Sequence, residues 1–381
     1  MESKNDVIPK IIAMYLPQFH RIPENDEFWG KGFTDWETVK KAKPLFDGHN
    51  QPRGPLNEYY YDLSQKESVA WQCKIAREHG IYGFAIYHYW FNNEKNLLTK
   101  PAEIIRDNKE IGINYFFTWD NCNWKRSWSN VSGNAWSPIA DDEQDENNRK
   151  GPQILIPYIL GEKPDWENHY NSVKSYFADS RYIKIGNKPV FSIINYDVDI
   201  EKMCAYWDNL AKQDGFDGLF FIFKNGPRVP NTYYRYSYEP HHVAWGRFDL
   251  WPRIKGFIKR KLRIAETLEV YNFDTSWVNL ITFTQNNKEQ TLYYGAFVGY
   301  DDTPRRGTKG KIVKGGTPEK FGYYLGKLLD ICKSKEKEFI FLTAWNEWGE
   351  GAYLEPDSVN GYAYLQAIKQ CVLNEGTDIT T

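Results

Sequence analysis

The sequence lacks several features that would each assign it to a protein class. None of its apolar runs approaches the roughly 20 residues of a membrane-spanning helix, so we predict no transmembrane segment. The 5 cysteines are scattered without CxxC spacing, which argues against a zinc site or a disulfide framework. The net charge of −2 lacks the basic excess of a nucleic-acid-binding protein. We therefore expect neither a nucleic-acid partner nor a structural metal.

The first ten residues also lack the apolar core of a secretory signal. The simplest expectation is a cytoplasmic protein. A periplasmic or exported protein from which a leader had been trimmed would present the same start.

Aromatic side chains, by contrast, are abundant: they make up 17% of the 381 residues and include 15 Trp and 27 Tyr. Most aromatic residues fill protein cores. A surplus of Trp and Tyr beside Asp, Glu, Asn and His also suits sugars, because the C–H faces of a sugar stack on rings while its hydroxyls need polar partners.

Strand-like and helix-like segments alternate along the chain. The apolar runs that predict strands lie at 11–16, 82–87, 115–119, 189–194, 219–223, 234–238, 293–298 and 339–342. Such alternation argues for parallel strands joined by crossover helices, in either a doubly wound sheet or a (β/α)8 barrel. No Gly-rich phosphate loop follows the first strand, which weakens the doubly wound alternative.

Polar residues recur at the C-terminal ends of these strands. They are His20, His88, Asp120, Asn195, Glu239, Asp301 and Glu347. Barrel active sites are assembled at that rim. The sequence therefore predicts an α/β protein: a single (β/α)8 TIM-type barrel over residues 1–381, with long loops at the C-terminal rim and an exposed insertion at 134–151.

The segment that follows the last predicted strand carries the strongest chemical signal. Residues 343–351 read TAWNEWGEG, which places Glu347 and Glu350 three residues apart between two tryptophans. If the chain turns helically there, both carboxylates share one face, and their proximity should raise one pKa. Paired carboxylates beside aromatic rings cleave glycosidic bonds in many enzymes. An acidic loop with solvated glutamates and two core tryptophans is the equally open alternative.

Several longer motifs resemble one family. They are YLPQFH at 15–20, WGKGFTDW at 29–36, GHNQP at 48–52, YHYWF at 87–91, RYIK at 181–184 and WNEWGEG at 345–351. Together they resemble the WbsX-like family of bacterial polysaccharide-locus proteins, over about residues 10–370. That family is similar in turn to the endo-α-mannosidases and endo-α-mannanases of glycoside hydrolase family 99.

The resemblance implies a metal-free, cofactor-free, retaining hydrolase. By analogy Glu347 would act as base on the substrate's own 2-hydroxyl, and Glu350 would be the general acid/base. Where family members usually carry Trp-Ala-Asn-Glu-Asn-Trp, this chain has WDNCNW at 119–124, so an acidic residue has moved two places and Cys122 stands in its position. This departure bears on substrate identity and leaves the glutamate pair in place.

The residues that we expect to bind an oligosaccharide or polysaccharide lie in these motifs or at strand ends. They are Tyr15, His20, Trp36, Tyr87, His88, Trp90, Trp119, Asp120, Asn195, Tyr196, Glu239, His241, Asp301, Arg305, Trp345, Asn346 and Trp348. Arg305 would suit an acidic sugar or phosphate, and a surface loop explains it equally well. His241 and His242 have no third ligand at a metal-binding spacing, so no metal site is expected.

Two alternatives to a hydrolase stay open at this point. A glycosyltransferase of surface-polysaccharide biosynthesis could use Asp301 and Asp302 as the acidic pair that holds a metal-bound nucleotide sugar. A catalytically silent barrel that only binds glycan is the third hypothesis.

Overall fold

The computed structural model describes residues 9–125, 154–246 and 268–374, and the insertion expected at 134–151 lies outside them. All eight predicted strands are present. They are β1 Lys10–Tyr15, β2 Gly83–Asn92, β3 Asn114–Trp119, β4 Lys188–Ile193, β5 Phe220–Lys224, β6 Tyr234–Tyr236, β7 Leu292–Phe297 and β8 Phe339–Thr343. The apolar runs of β1 to β4, β7 and β8 are almost fully buried, as expected for parallel strands covered by helices, whereas β5 and β6 are partly exposed.

These eight strands form a closed barrel. Each pairs in parallel with its neighbours in sequence, and β1 pairs with both β2 and β8. Ile12 of β1 thus lies opposite Gly83 on one side and Phe341 on the other. The prediction of a (β/α)8 TIM-type barrel is confirmed.

Helices surround the barrel. Those of eight residues or more in the described ranges are α1 Lys66–Glu78, α2 Lys100–Asp107, α3 Lys163–Phe177, α4 Val198–Gln213, α5 Phe273–Asn286, α6 Pro318–Ser334 and α7 Ala363–Asn374. The connection from β5 to β6 differs from the alternating pattern, because residues 225–233 pass through turns instead of a helix. Within the described ranges no helix is both long and apolar enough to cross a bilayer.

Several short strands pair with barrel strands or with one another outside the barrel. They are Lys95–Leu97 against β2, Trp124–Lys125 against Ile154–Ile156, Lys184–Ile185 against β4, Glu269–Asn272 against Lys311–Lys314, and Asn346–Glu347 against Ala352–Tyr353.

The barrel interior is packed with aromatic rings. The Tyr236 ring stacks on Phe341 with centroids 4.6 Å apart, and Phe116 meets Phe341 edge-on at 6.2 Å. Gly295 of β7 lets the chain pass close to β6, because a Cβ there would lie 2.2 Å from the Ser237 carbonyl oxygen. The interior is therefore a solid floor beneath the C-terminal rim, as in other barrels.

The long β1–α1 connection, predicted as a loop from about residue 21 to 61, contains two short helices, Pro23–Trp29 and Asp35–Lys40. The second helix packs against the 3₁₀ turn Trp348–Glu350 and the helix Thr303–Arg306. Segments from the beginning and the end of the chain therefore meet above β8, at the rim.

Candidate active site

A cavity of about 490 Å³ opens at the C-terminal rim, a size in the range of small-molecule sites. Residues within β2, and residues at or beyond the C-terminal ends of the other seven strands, line it. They are Leu16, Gln18, Tyr87, Tyr89, Asp120, Cys122, Ile194, Lys224, Asn225, Tyr238, His241, His242, Arg305, Glu347 and Glu350. Of the predicted site residues, the cavity brings together Tyr87, Asp120, His241, Arg305, Glu347 and Glu350.

The glutamate pair lies on a short turn that follows β8. Glu347 precedes the 3₁₀ turn Trp348–Glu350, which ends at Gly351 in the left-handed region with φ +57°. The chain therefore turns helically, as the spacing required, and both carboxylates line one cavity. Glu347 is only 6% exposed, so the alternative of solvated glutamates does not describe this residue.

Arg305 joins three carboxylates. Its Nη1 donates to Glu350 Oε1 at 2.8 Å, and its Nη2 donates to Asp35 Oδ2 at 3.2 Å and to Glu347 Oε2 at 3.5 Å. The Asp35 side chain is fully buried and that of Arg305 is 11% exposed. We call Asp35, Arg305, Glu347 and Glu350 the carboxylate clamp. Because an arginine fork bonded on several sides is held in one geometry, the clamp fixes where the two glutamates point.

Burial and, secondarily, the charge of Glu350 raise the pKa of Glu347 to about 8, and Arg305 partly opposes this rise. The sequence argument attributed the rise mainly to proximity of the two carboxylates. The larger cause is that Glu347 is removed from water. Such a shift is typical of carboxyl groups that exchange protons with a substrate.

The glycine between the glutamates gives the clamp its space. A Cβ on Gly349 would lie 2.7 Å from Arg305 Nε and 3.0 Å from Asp35 Oδ2. Only a residue without a side chain lets the guanidinium lie over the turn at this point. The glycines that the sequence places around Glu350 are thus part of the site geometry.

The tryptophans and the asparagine of the motif support the turn from behind. Trp345 is fully buried against Phe84, and Trp348 stacks on Tyr353 with centroids 3.7 Å apart. Asn346 accepts from the Leu16 backbone N–H at 2.7 Å and donates to its carbonyl at 2.9 Å. These three predicted sugar contacts are core residues, as the alternative interpretation of the tryptophans held.

Glu355 is a further buried carboxylate behind the turn. It accepts hydrogen bonds from Tyr61, Gln72 and Trp348, each at 2.7 Å. Burial raises its pKa to about 7, although these donors oppose the rise. Glu355 does not line the cavity, and its bond to Trp348 holds the indole beneath the turn that carries Glu350.

Strand alternation separates the predicted residues of β2 and β3 into two groups. Successive side chains of a strand point to opposite faces. Tyr87 and Tyr89 line the cavity, whereas His88 faces the helix layer and its Nε2 lies 2.9 Å from that of His169. Burial lowers the pKa of His88 to about 3, so it is a neutral core histidine.

The neighbouring tryptophans belong to the same outer layer. Trp90 stacks on His169 with centroids 4.6 Å apart, and Trp119 donates its indole N–H to the Trp90 carbonyl at 2.9 Å. His88, Trp90 and Trp119 are therefore corrected from sugar contacts to packing residues between the barrel and α3.

The other predicted residues outside this cavity have structural partners. Tyr15 donates to Gln72 at 2.6 Å, Trp36 to the Tyr61 carbonyl at 2.9 Å, and Tyr196 to Glu201 at 2.6 Å. None of these three side chains lines the cavity.

Three polar predictions are also placed elsewhere. His20 is 5% exposed, and burial lowers its pKa. Glu239 accepts from the backbone N–H groups of Val243 and Ala244 at 3.0 and 3.1 Å. Asn195 is exposed and donates to Cys122 Sγ at 2.8 Å. None of the three lines the cavity.

Asp301 lines a second cavity of about 440 Å³, separate from the first. Its carboxylate lies 2.9 Å from His49 Nε2 and accepts from Gln51 at 2.9 Å, from Arg53 at 3.3 Å and from Thr303 Oγ1 at 2.6 Å. Burial opposes ionisation, but Arg53 and the other donors lower the pKa of Asp301. Both carboxylate oxygens are thus in use.

Asp302 is similarly engaged. It accepts from Tyr300 at 3.2 Å and from the Lys311 backbone N–H at 2.5 Å, and it pairs with Arg306 at 3.1 Å. Because these partners already bond the carboxylate oxygens of Asp301 and Asp302, the pair has little capacity left to bind a metal-bound nucleotide. No three His, Cys, Asp or Glu side chains of the described residues converge in a metal-holding arrangement.

Sequence reasoning missed Asp35, Tyr89, Lys224 and Tyr238. Asp35 lies next to Trp36 in a motif that had been singled out, where the tryptophan was chosen for its ring. Tyr89 would have followed from strand alternation once Tyr87 was assigned to the interior. Lys224 directly follows the predicted strand 219–223 and Tyr238 ends the predicted strand 234–238, so the strand-end argument applied to both and could have found them.

Comparison with known proteins decides the family. The model of the family described as Glycosyltransferase WbsX matches residues 11–368. This chain belongs to the WbsX family. The protein WxcX from each of two strains of Xanthomonas campestris pv. campestris is 29% identical over 383 residues, which cover 97% of this chain and 50% of the relative. The WbsX-family chain described here therefore spans about half the length of the curated relatives it matches.

Solved structures share the fold of this WbsX-family barrel. The GH99 endo-alpha-mannosidase of Bacteroides thetaiotaomicron superposes with a TM-score of 0.55 at 13% identity, over 98% of both chains. A glycoside hydrolase-like protein superposes with a TM-score of 0.53 at 12% identity, over 95% of this chain and 93% of that one. The resemblance to family 99 is thus present in the fold of the whole chain.

Proposed function

We propose that the protein is a glycoside hydrolase that cleaves an α-linked bacterial polysaccharide or O-antigen-like glycan, with Glu347 and Glu350 as its catalytic pair. The observation that carries this proposal is the carboxylate clamp. Two glutamates share a sugar-sized cavity, one has a pKa of about 8, and a buried arginine fixes both. The fold shared with endo-acting family 99 enzymes and the WbsX family match support the same substrate class.

In the proposed mechanism the anomeric configuration is retained through the substrate's own 2-hydroxyl. Glu347 removes the proton of that hydroxyl, whose oxygen attacks the anomeric carbon and displaces the leaving oxygen. Glu350 protonates the leaving oxygen and then takes a proton from a water molecule, whose oxygen attacks the anomeric carbon and opens the three-membered ring. Glu347 returns its proton to the 2-oxygen in this second step. No protein nucleophile is required, only one base and one acid.

The pKa of Glu347 adds a condition to these roles. At neutral pH a carboxyl group with a pKa of about 8 carries a proton, whereas the proposed role needs it ionised. We propose that Glu347 acts as the base in the molecules that have released this proton, a fraction that grows as the pH rises toward 8.

The first test is incubation of the protein with α-linked bacterial polysaccharides without nucleotide or added metal. Release of new reducing ends is expected. Glu347→Gln and Glu350→Gln should each lower the rate by about 10²–10⁴-fold, while the exposed-residue control Glu94→Gln should not. Full activity in both cavity variants would refute the site assignment.

A glycosyl fluoride of the released sugar separates the two roles, because fluoride leaves without protonation. Glu350→Gln should release fluoride from it, whereas Glu347→Gln should not. The opposite result would exchange the two roles.

The family description favours a second candidate, a glycosyltransferase of lipopolysaccharide or capsule assembly. The bonds that occupy Asp301 and Asp302 argue against their use as a nucleotide–metal pair. Sugar transfer that appears only with a nucleotide sugar would establish this candidate instead. Glycan binding without any turnover would instead support the third hypothesis, a barrel that only binds glycan.

A further inference from the structure

Lys224 introduces a positive charge into the cavity away from the catalytic pair. It ends β5, which is three strands from β8 around the barrel, so it approaches the cavity from the far side of the mouth relative to Glu347. Its ammonium lies 5.7 Å from the centroid of the Tyr238 ring. Among the described residues, no carboxylate comes within the 4.0 Å of an ion pair with Lys224.

The other strong cation of the cavity is used differently. Arg305 was the sequence candidate for an acidic sugar, but it donates to Asp35, Glu347 and Glu350. Its positive charge is therefore already balanced by these three carboxylates. Lys224 is left as the cation on this wall that could meet a charge brought by the substrate.

Asp120 is the acidic neighbour on the Lys224 side of the cavity. It is bonded to Cys122, and burial raises its pKa, an effect that Lys224 partly opposes. Burial thus weakens Asp120 as a counter-ion. The charge of Lys224 is not matched at contact distance by this carboxylate.

The wall around Lys224 is also held in place. Asn225 is 2.7 Å from His242 Nε2 through its amide nitrogen, and its amide oxygen accepts from Arg235 at 3.3 Å. Arg235 itself is buried and pairs with Glu289 at 2.7 Å. An ammonium beside such a fixed amide offers an anionic group a charge-assisted bond at a defined position.

From this arrangement we propose that the substrate carries a negatively charged group, a uronate carboxylate or a phosphate, and that Lys224 binds it across the cavity from the glutamate pair. The inference rests on the proposed function in that it takes the cavity to hold a glycan. It concerns recognition and does not depend on whether the bound glycan is cleaved.

The experiment measures glycan affinity by calorimetry on the Glu350→Gln protein, so that turnover does not interfere. The probes are uronate-containing bacterial oligosaccharides with their carboxyl-reduced forms, and phosphorylated oligosaccharides with their phosphatase-treated forms. The charged member of at least one pair should bind roughly tenfold more tightly, as one charge-assisted bond permits. Whether the uronate or the phosphate pair shows this difference identifies the source of the charge.

Variants at Lys224 distinguish charge from simple hydrogen bonding to a hydroxyl. Lys224→Gln keeps a hydrogen-bond donor but no charge, so it should remove the preference while neutral glycans bind as before. Lys224→Arg should retain the preference. Lys212→Gln, on the outer helix α4 and 54% exposed, is the matched control and should change nothing.

Equal affinity for the charged and neutral members of both pairs would overturn the proposal. So would a preference that survives in Lys224→Gln, or an absence of binding to every charged probe. A protein that prefers charged glycans without cleaving any would sustain this inference and refute the hydrolase. A protein that cleaves only neutral glycans would refute this inference and sustain the hydrolase.

Discussion

Glu347 combines burial, a neighbouring carboxylate and an arginine at 3.5 Å in one side chain. In the folded protein its pKa is about 8, against 4.5 for an ordinary glutamate. Below about pH 4.5 the folded and unfolded chains both bind this proton. Between the two pKa values only the folded chain keeps it, so raising the pH favours unfolding. Above about pH 8 both have released it, and the cost stays constant.

Replacement of Glu347 by Gln should therefore stabilise the protein. The gain is expected to grow from near zero at about pH 4.5 to roughly 3–5 kcal/mol at pH 8 and to level off above that. Melting temperatures of wild type and Glu347→Gln across this range test it, with the exposed Glu94→Gln as control. A difference that does not change with pH would mean that Glu347 is not buried with its proton.

The same proton limits activity below about pH 8. The proposed mechanism uses Glu347 as the base, and the proton that Glu347 holds in the folded protein blocks that role. We expect kcat/KM to rise with pH toward about pH 8. In Arg305→Met this ascending limb should move to higher pH, because Arg305 lowers the pKa of Glu347. An ascending limb that stays in place would show that the guanidinium does not affect this titration.

At the scale of elements, strand alternation decides which side chains line the cavity. Tyr87 and Tyr89 enter the cavity while His88 between them packs on His169. The apolar runs were sufficient to predict all eight barrel strands, because burial and strand period are local properties. They could not give the facing of His88, since a strand buried on both faces shows no alternation of polarity.

The turn after β8, with Glu347 and Glu350, is likewise only partly predictable from the sequence. Its position after β8 and its glutamate pair were evident from the sequence, because the residues are contiguous. Asp35 is 270 residues from Arg305, and no local pattern relates them. Its role follows only from the packing of the helix Asp35–Lys40 against the turn.

The turn also makes a prediction about Gly349. An Ala there would place its Cβ 2.7 Å from Arg305 Nε, so the guanidinium must shift away from the glutamates. Activity should fall by at least about tenfold, and overpacking of this kind costs roughly 1–3 kcal/mol of stability. Kinetics and urea unfolding measure the two effects.

Gly326 in α6 offers a matched comparison. A Cβ at this position would meet only Cys371 Sγ, at 3.9 Å. Gly326→Ala should leave activity unchanged and stabilise the helix by roughly 0.5–1 kcal/mol. Equal behaviour of the two variants would show that Gly349 has no special spatial role.

At the scale of the whole molecule, the contacts that close the barrel also position the site. β1 pairs with β8, and Asn346 bonds both the N–H and the carbonyl of Leu16 beyond β1. The same junction carries Glu347 one residue later. The overall fold was accessible from the sequence because each βα unit is local, whereas this seam joins segments 330 residues apart.

Asn346→Ala should therefore weaken the whole barrel. It leaves two buried backbone groups of Leu16 without partners, at a cost of roughly 2–4 kcal/mol. The midpoint of urea unfolding should fall, and fluorescence and circular dichroism should both report the same lower midpoint. Asn209→Ala on the exposed side of α4 serves as the reference and should not change the midpoint.

The clamp draws Asp35 from near the start of the chain and Arg305, Glu347 and Glu350 from its last quarter. A backbone cut anywhere between Asp35 and Arg305 would therefore leave one fragment without Asp35 and the other without the arginine and both glutamates. Neither fragment alone would contain all four side chains of the clamp.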